Sequence, residues 1–200
     1  MTLESNCFPF QFSSTKLIEK TIIQKKTNSF LNSVSYRIDN VIIDPGDEWL
    51  EENDIDVILL THAHFDHIYG INRILRKNPT AKIYTNKCGY EMLLNSKKNL
   101  SAFHETPFVV DFPDNVIVTA NYQEVNLRGD IKAKAIFTPG HNPSCITWII
   151  EDLVFTGDSY IPGVKTITTL PGGNKKQSEE SINIINQISI NHKIYPGHKI

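Results

Sequence analysis

Apolar positions along this chain recur with two periods, and the switches between them predict alternating strands and helices. Lys16 to Gln24, Phe30 to Ile38 and Val41 to Ile43 are predicted strands, the last ended by Asp44-Pro45-Gly46. Ile55 to Leu60 is an almost uninterrupted apolar run, the mark of a buried strand. Ile68, Ile71, Ile74 and Leu75 then recur at helical spacing until Asn78-Pro79 stops the helix. Ala81 to Thr85 predicts a short strand and Lys87 to Leu94 a second helix. Residues 95–115, with Pro107 and Pro113, predict a long loop able to cover a cleft.

Strands return at Asn115 to Ala120, Gln123 to Leu127, Ile131 to Phe137, Ile146 to Ile150 and Leu153 to Phe155. Glu151-Asp152 predicts a tight turn between the last two. After the Pro171-Gly172-Gly173-Asn174 loop, Ser178 is a candidate cap for a helix carrying Ile182, Ile185 and Ile188 on one face. Lys193 to Tyr195 is a final strand. No repeat or low-complexity tract is present. Many strands with interspersed helices favour two packed sheets with helices outside.

Composition narrows the class. Two hundred residues suit one domain able to bury a core without staples. Hydrophobic content of 40% and charged content of 21% are ordinary for a soluble globular protein. A formal net charge of −2 argues against nucleic acid or an anionic membrane as partner. Cys7, Cys88 and Cys145 have no framework spacing, so reduced thiols and a cytoplasmic location are expected. Met1 to Asn6 lacks the pattern of a secretory leader, and no apolar stretch approaches the ~18 residues of a membrane span.

Candidate chemistry concentrates where strands end. The Ile55–Leu60 run leads directly into Thr61-His62-Ala63-His64-Phe65-Asp66-His67. Packing gains nothing from that many ionisable groups at a strand end, and burying them unpaired is costly. Imidazole nitrogen and carboxylate oxygen are ligands for zinc, iron(II) and manganese. Three later strand ends repeat the theme. Ile136-Phe137 runs into Thr138-Pro139-Gly140-His141, Val154-Phe155 into Thr156-Gly157-Asp158, and Ile194-Tyr195 into Pro196-Gly197-His198. Glycine suits such turns because it lets the backbone approach a site closely. His104 falls in the irregular segment, as a loop residue or a substrate contact. His192 falls at a helix end, where the dipole favours a cation.

Taken together, these motifs resemble the metallo-β-lactamase superfamily, and within it the branch of hydroxyacylglutathione hydrolase (glyoxalase II) and its small relatives. The resemblance runs from Asn32 and the Ile42–Gly46 turn to the last residues, and includes Leu170-Pro-Gly-Gly173. It implies a mixed α/β (α+β) fold, the four-layer αββα sandwich, with the site at one edge of two sheets. It implies one metal on His62, His64 and His141, a second on Asp66, His67 and His198, and Asp158 bridging both. Asp66 and Asp158 would be the catalytic carboxylates. Two divalent ions are implied, zinc foremost, with iron or manganese as alternatives.

Departures from the family pattern also carry information. Asp158 stands where some β-lactamases of the superfamily carry a cysteine ligand. Tyr69-Gly70 replaces a frequent glycine pair, and Ile161 to Lys165 replaces a glycine-rich loop. The sequence closes two residues after His198, where glyoxalase II enzymes continue into a helical domain, so a single domain over residues 1–200 is expected. The implied activity is hydrolysis of a thioester or related acyl bond in a small molecule, by a hydroxide activated between two cations. Tyr160 and Lys165 are candidate substrate contacts. The alternatives are a lactonase or phosphodiesterase, a persulfide dioxygenase with one iron, and a metal-bearing binding protein without turnover.

Overall fold

A computed structural model of the chain describes residues 22–199. β1 (Ile23–Thr27), β2 (Val34–Ile38), β3 (Val41–Ile43), β4 (Val57–Leu59), β5 (Lys82–Thr85) and β6 (Val116–Val118) form one sheet in that order. Pairing is antiparallel from β1 to β3 and parallel from β3 to β6. Parallel neighbours need a crossover. α1 (Ile71–Lys77) supplies it between β4 and β5, and α2 (Lys87–Leu93) between β5 and β6. The second sheet runs β11-β10-β9-β8-β7, from β7 (Glu124–Asn126), β8 (Lys132–Phe137), β9 (Ile146–Ile150), β10 (Leu153–Gly157) and β11 (Lys193–Pro196). α3 (Lys175–Ile188) precedes β11, which pairs in parallel with β10.

Strand alternation sorts the apolar side chains into two cores. Val41 and Ile43 of β3, with Val57 and Leu59 of β4, meet Ala133, Ala135, Ile146, Trp148 and Phe155 between the sheets. The residues one step out of phase, Ile42, Ile58 and Ile83, face the opposite way, toward Ile71, Ile74 and Leu75 of α1 and Met92 and Leu93 of α2. A strand coated on both faces has no polar phase, which is why Ile55–Leu60 shows so little alternation in sequence. The result is the expected αββα layering.

Boundaries differ from the sequence-based expectations where local chemistry decides. Most of the predicted Lys16–Gln24 strand lies outside the described residues, and β1 begins at Ile23. β2 begins at Val34 rather than Phe30, because Leu31 and Asn32 take left-handed backbone angles, φ 52° and 54°. α1 begins at Ile71, not Ile68, because Phe65–His67 closes into a short 3-10 turn first. Asn174, not Ser178, caps α3: its side chain accepts from the Gln177 N–H at 3.0 Å, whereas Ser178 lies buried inside the helix. His192 follows the 3-10 turn Ser189–Asn191, and its backbone N–H donates to the Ser189 carbonyl.

Residues 95–115 are anchored rather than loose. The Asn99 amide donates to the Met92 and Phe108 carbonyls, and Phe108 and Val110 are buried in the outer core. Among the described residues no helix is long and apolar enough to cross a membrane.

The two sheets are stitched together where β4 ends. Trp148, fully buried, donates its indole N–H to the Leu60 carbonyl at 2.8 Å, and the Ile146 N–H donates to the Thr61 carbonyl at 2.7 Å. Trp148→Phe removes the first of these bonds, leaves a buried carbonyl without a partner and opens a small void. Urea denaturation should show a loss of roughly 2–4 kcal/mol.

Candidate metal centre

All seven of the predicted ligand residues lie at the sheet edge where β4, β8, β10 and β11 end. His62 and His64 leave β4 on a loop held by the second sheet: besides the Trp148 and Ile146 bonds, the Ala63 N–H donates to Ser144 Oγ at 3.0 Å. Asp66 and His67 follow on the 3-10 turn. His141 follows β8, Asp158 follows β10 and His198 follows β11. Gly157 takes φ 51° to turn β10 toward the site, and a Cβ on Gly197 would collide with Asp158 Oδ1. Both glycines are therefore demanded by close approach.

Three groups of ligand atoms result, each with its atoms within 4.8 Å of one another: the two expected triads, His62/His64/His141 and Asp66/His67/His198, and Asp44/His62/His67, which shares a member with each of them. His64 Nδ1 and His141 Nε2 are 3.0 Å apart. His67 Nε2 lies 3.3 Å from both Asp66 Oδ2 and His198 Nε2. Asp158 faces both triads. Its Oδ2 is 3.3 Å from His198 Nε2 and 3.6 Å from His141 Nε2, and its Oδ1 is 3.6 Å from His67 Nε2.

The outward nitrogens are largely committed elsewhere. His141 Nδ1–H donates to the Ile167 carbonyl at 2.8 Å, His198 Nδ1–H to the Leu31 carbonyl at 3.1 Å, and His67 Nδ1–H to Asp44 Oδ2 at 3.1 Å. Each bond places a proton on the outer nitrogen, so the inner nitrogen is the one that can offer a lone pair to a cation once it has lost its proton. His64 is the exception. The Asn142 amide nitrogen faces its Nε2 at 2.8 Å, while Asn142 Oδ1 is taken by Ser144. In that arrangement the His64 proton sits on Nδ1, so a cation there requires Asn142 to present its carbonyl instead.

Electrostatics divides the centre in two. Burial, reinforced by the neighbouring imidazoles, holds His62 well below its usual range, and burial pushes His64 down to about 3. Those two imidazoles are neutral. In the other half burial opposes every charge, yet opposite charges prevail. The carboxylates of Asp66 and Asp158 lift His67 well above its usual range, and His198 rises to about 9 on its bonds to the same pair. In return Asp66 and Asp158 are held below the usual carboxylate range, chiefly by His67. Among the buried polar atoms without a hydrogen-bond partner are His62 Nε2 and Asp158 Oδ1. Such atoms are costly unless something polar sits against them, and both belong to the ligand set. The residues present therefore fit divalent cations.

Sequence reasoning missed Asp44. It is 2% exposed, and its carboxylate takes the Thr61 N–H on Oδ1 at 2.7 Å, the Thr61 hydroxyl on Oδ2 at 2.5 Å, and His67. The signal was present in the apolar strand followed by Asp-Pro-Gly, the same theme as the other ligand-bearing turns. His104 lies in the cleft itself. Its ring stacks on Phe65 at 5.1 Å and lines, with His64, Asp66 and His198, a cavity of about 410 Å³. Lys165 lines an adjoining cavity of about 240 Å³ beside His141, Asp158 and His198. Tyr160 lines neither of these two cavities, and its carbonyl accepts from Thr156 Oγ1 at 2.6 Å. Cys145 is no part of the donor set, and burial pushes its thiol up to about 12.

Known proteins share this architecture. The sequence profile of the metallo-beta-lactamase superfamily matches residues 30–198. This chain belongs to that superfamily. The probable metallo-hydrolase YqgX of Bacillus subtilis is 30% identical over 152 residues, 71% of each chain. A hydroxyacylglutathione hydrolase of Prochlorococcus marinus is 30% identical over 170 residues, which cover 81% of this chain and 59% of that protein. The BLEG-1 B3 metallo-beta-lactamase superposes with a TM-score of 0.78 at 24% identity, over 90% of this chain and 92% of its own. The superfamily fold thus accounts for the two sheets and their shared edge.

Asp44→Asn keeps the shape of the hub but cannot accept both the Thr61 protons and the His67 proton. Metal affinity, measured by competition with a chromophoric chelator, should fall roughly 10–100-fold. The metal-free protein should also show a stability maximum near pH 6.5. His62 and His64, held below the ordinary value of 6.5, cost stability as pH falls beneath it. His67 and His198, held above 6.5, contribute fully below it, and the His198 share is lost as pH rises through about 9. Thermal melts in chelator across this range check the position of the maximum.

Proposed function

We propose that the protein is a metal-dependent hydrolase of a thioester or related acyl bond in a small molecule, working with two divalent ions, zinc foremost. The observation that carries this reading is the single carboxylate of Asp158 set between the two triads, within 3.6 Å of His67, His141 and His198. A donor set of imidazoles and carboxylates without thiolate suits borderline divalent cations. Under this reading His62, His64 and His141 would hold one ion and Asp66, His67 and His198 the other, with Asp158 available to both. When bound, such ions lower the pKa of water and polarise a carbonyl.

The chain's own groups do the rest. Asp66 lines the larger of the two cavities, where it orients the attacking water by accepting a hydrogen bond from it. The hydrogen bonds from His67, His141 and His198 to Asp44, Ile167 and Leu31 hold the imidazoles rigid while the substrate charge changes. Lys165 and Lys199 line the adjoining cavity, where they receive an anionic part of the leaving group. Cys88 and Cys145 are unpaired, which supports a reducing compartment such as the cytoplasm.

The test is a panel assay of purified, metal-quantified protein on acyl thioesters, lactones, phosphodiesters, a β-lactam and glutathione persulfide. Thioester cleavage with about two metals per chain is the expected result. One iron per chain with oxygen consumption on the persulfide overturns it. His64→Ala or Asp158→Ala should lower kcat/KM roughly 100-fold or more and reduce metal occupancy. Metal removal should cost about 4 kcal/mol where free metal exceeded Kd a thousandfold, a fall in Tm of roughly 8–16 °C by calorimetry.

A further inference from the structure

The cleft over the candidate metal centre is walled by apolar side chains that the fold itself does not need there. Leu31 is 63% exposed, Ile167 56% and Leu170 37%, and all three line the cavity that also holds His64, Asp66, His141, Asp158 and His198. Phe30 and Phe65 line it too, packed edge to face at 5.2 Å. Leucines left in water beside a set of charged and polar ligands gain nothing from folding.

Backbone conformation sharpens the point. Leu31 and Leu100, both in this wall, take left-handed angles of φ 52° and 69°. A branched, non-glycine residue is strained there, and such strain clusters at sites where it serves a purpose. The turn at Leu31 does serve one, since its carbonyl receives His198 Nδ1–H at 3.1 Å. That bond needs only a backbone carbonyl, and glycine or asparagine would supply it with less strain. The leucine side chain is therefore unexplained by the turn.

His104 is the wall's polar exception. Its ring is gripped by Phe65, stacked at 5.1 Å, and by Phe30, edge-on at 4.8 Å, so aromatic packing positions it against the cavity. Apart from the ligand residues and His104, the lining of this cavity carries no charged or titratable side chain, whereas lysines line the adjoining one.

We propose that the cavity seats an apolar acyl group, aliphatic or aryl, in a collar of Leu31, Leu100, Ile167 and Leu170 over Phe30 and Phe65, with His104 hydrogen-bonding the polar part of the same substrate. The proposal rests on the acyl-hydrolase reading and specifies which acyl groups it takes. At about 410 Å³ the cavity falls in the range of small-ligand sites, roughly 300–1,000 Å³.

The test uses the metal-loaded protein and N-acetylcysteamine thioesters that differ only in the acyl group: acetyl, butanoyl, hexanoyl, benzoyl and succinyl. Each methylene seated in the collar can raise kcat/KM by up to about fourfold, so hexanoyl should exceed acetyl by at least about tenfold. Butanoyl should exceed succinyl, which has the same length but ends in a carboxylate. A flat series, or a preference for succinyl, overturns the proposal. Leu31→Asn should cut the hexanoyl-to-acetyl ratio at least about threefold while Tm holds or rises by roughly 2 °C, because asparagine tolerates the left-handed angle. A fall in Tm with the ratio unchanged assigns Leu31 to packing and overturns its place in the collar. If no thioester is cleaved, the hydrolase reading fails by itself. The collar is then judged by calorimetry with hexanoate and acetate: tighter hexanoate supports it, and equal affinities overturn it.

Discussion

One buried carboxylate organises the edge of this molecule. Asp44 leaves β3 in a left-handed turn at φ 53° and closes on its neighbour strand through the Thr61 N–H and hydroxyl and on the 3-10 turn through His67. A carboxylate that is 2% exposed is tolerable only if its lone pairs are filled, and here three donors from two segments fill them. The start of the His62–His67 loop and its end are thereby tied to the same two oxygen atoms. The geometry of the first triad and that of the second are consequently not independent.

The second sheet completes the clamp from the other side. Trp148, Ile146 and Ser144 bond the Leu60, Thr61 and Ala63 backbone. Tyr36, buried between the sheets, donates its hydroxyl to the Pro196 carbonyl, and the Val34 N–H donates to the Gly197 carbonyl. Thus β2 of the first sheet sets the approach of His198, while β9 of the second sets the approach of His62 and His64. Each sheet positions ligands that the other sheet's strands carry, which ties the rigidity of the centre to the core between them.

The layering and the clustered imidazoles were legible in sequence because both are written locally. Strand-ending turns with glycine and a polar residue announce themselves over a few positions, as at Thr138–His141 and Pro196–His198. What escaped was non-local or contrary to residue type. His104 enters the cleft only because Phe30 and Phe65, remote in sequence, hold its ring. Leu31 and Leu100 adopt angles that leucine ordinarily avoids, so no pattern of side chains points to them. Asn174 and Ser178 are both capping residues a turn apart, and only the helix start shows which one is used. Asp44 lay in view at a strand end, but its partners Thr61 and His67 are joined to it by the parallel pairing of β3 and β4, which the local pattern does not specify.

The scattering of the ligand residues from position 62 to position 198 has a consequence for biogenesis. A growing polypeptide that has emerged only as far as β6 possesses fragments of both triads and neither in full. His141, Asp158 and His198 arrive in turn after β8, β10 and β11 of the second sheet, each a contact of long sequence separation and hence slow to close. Capture of a divalent cation by the complete ligand set thus becomes a late event of maturation, a seal set only on chains whose two halves have already met.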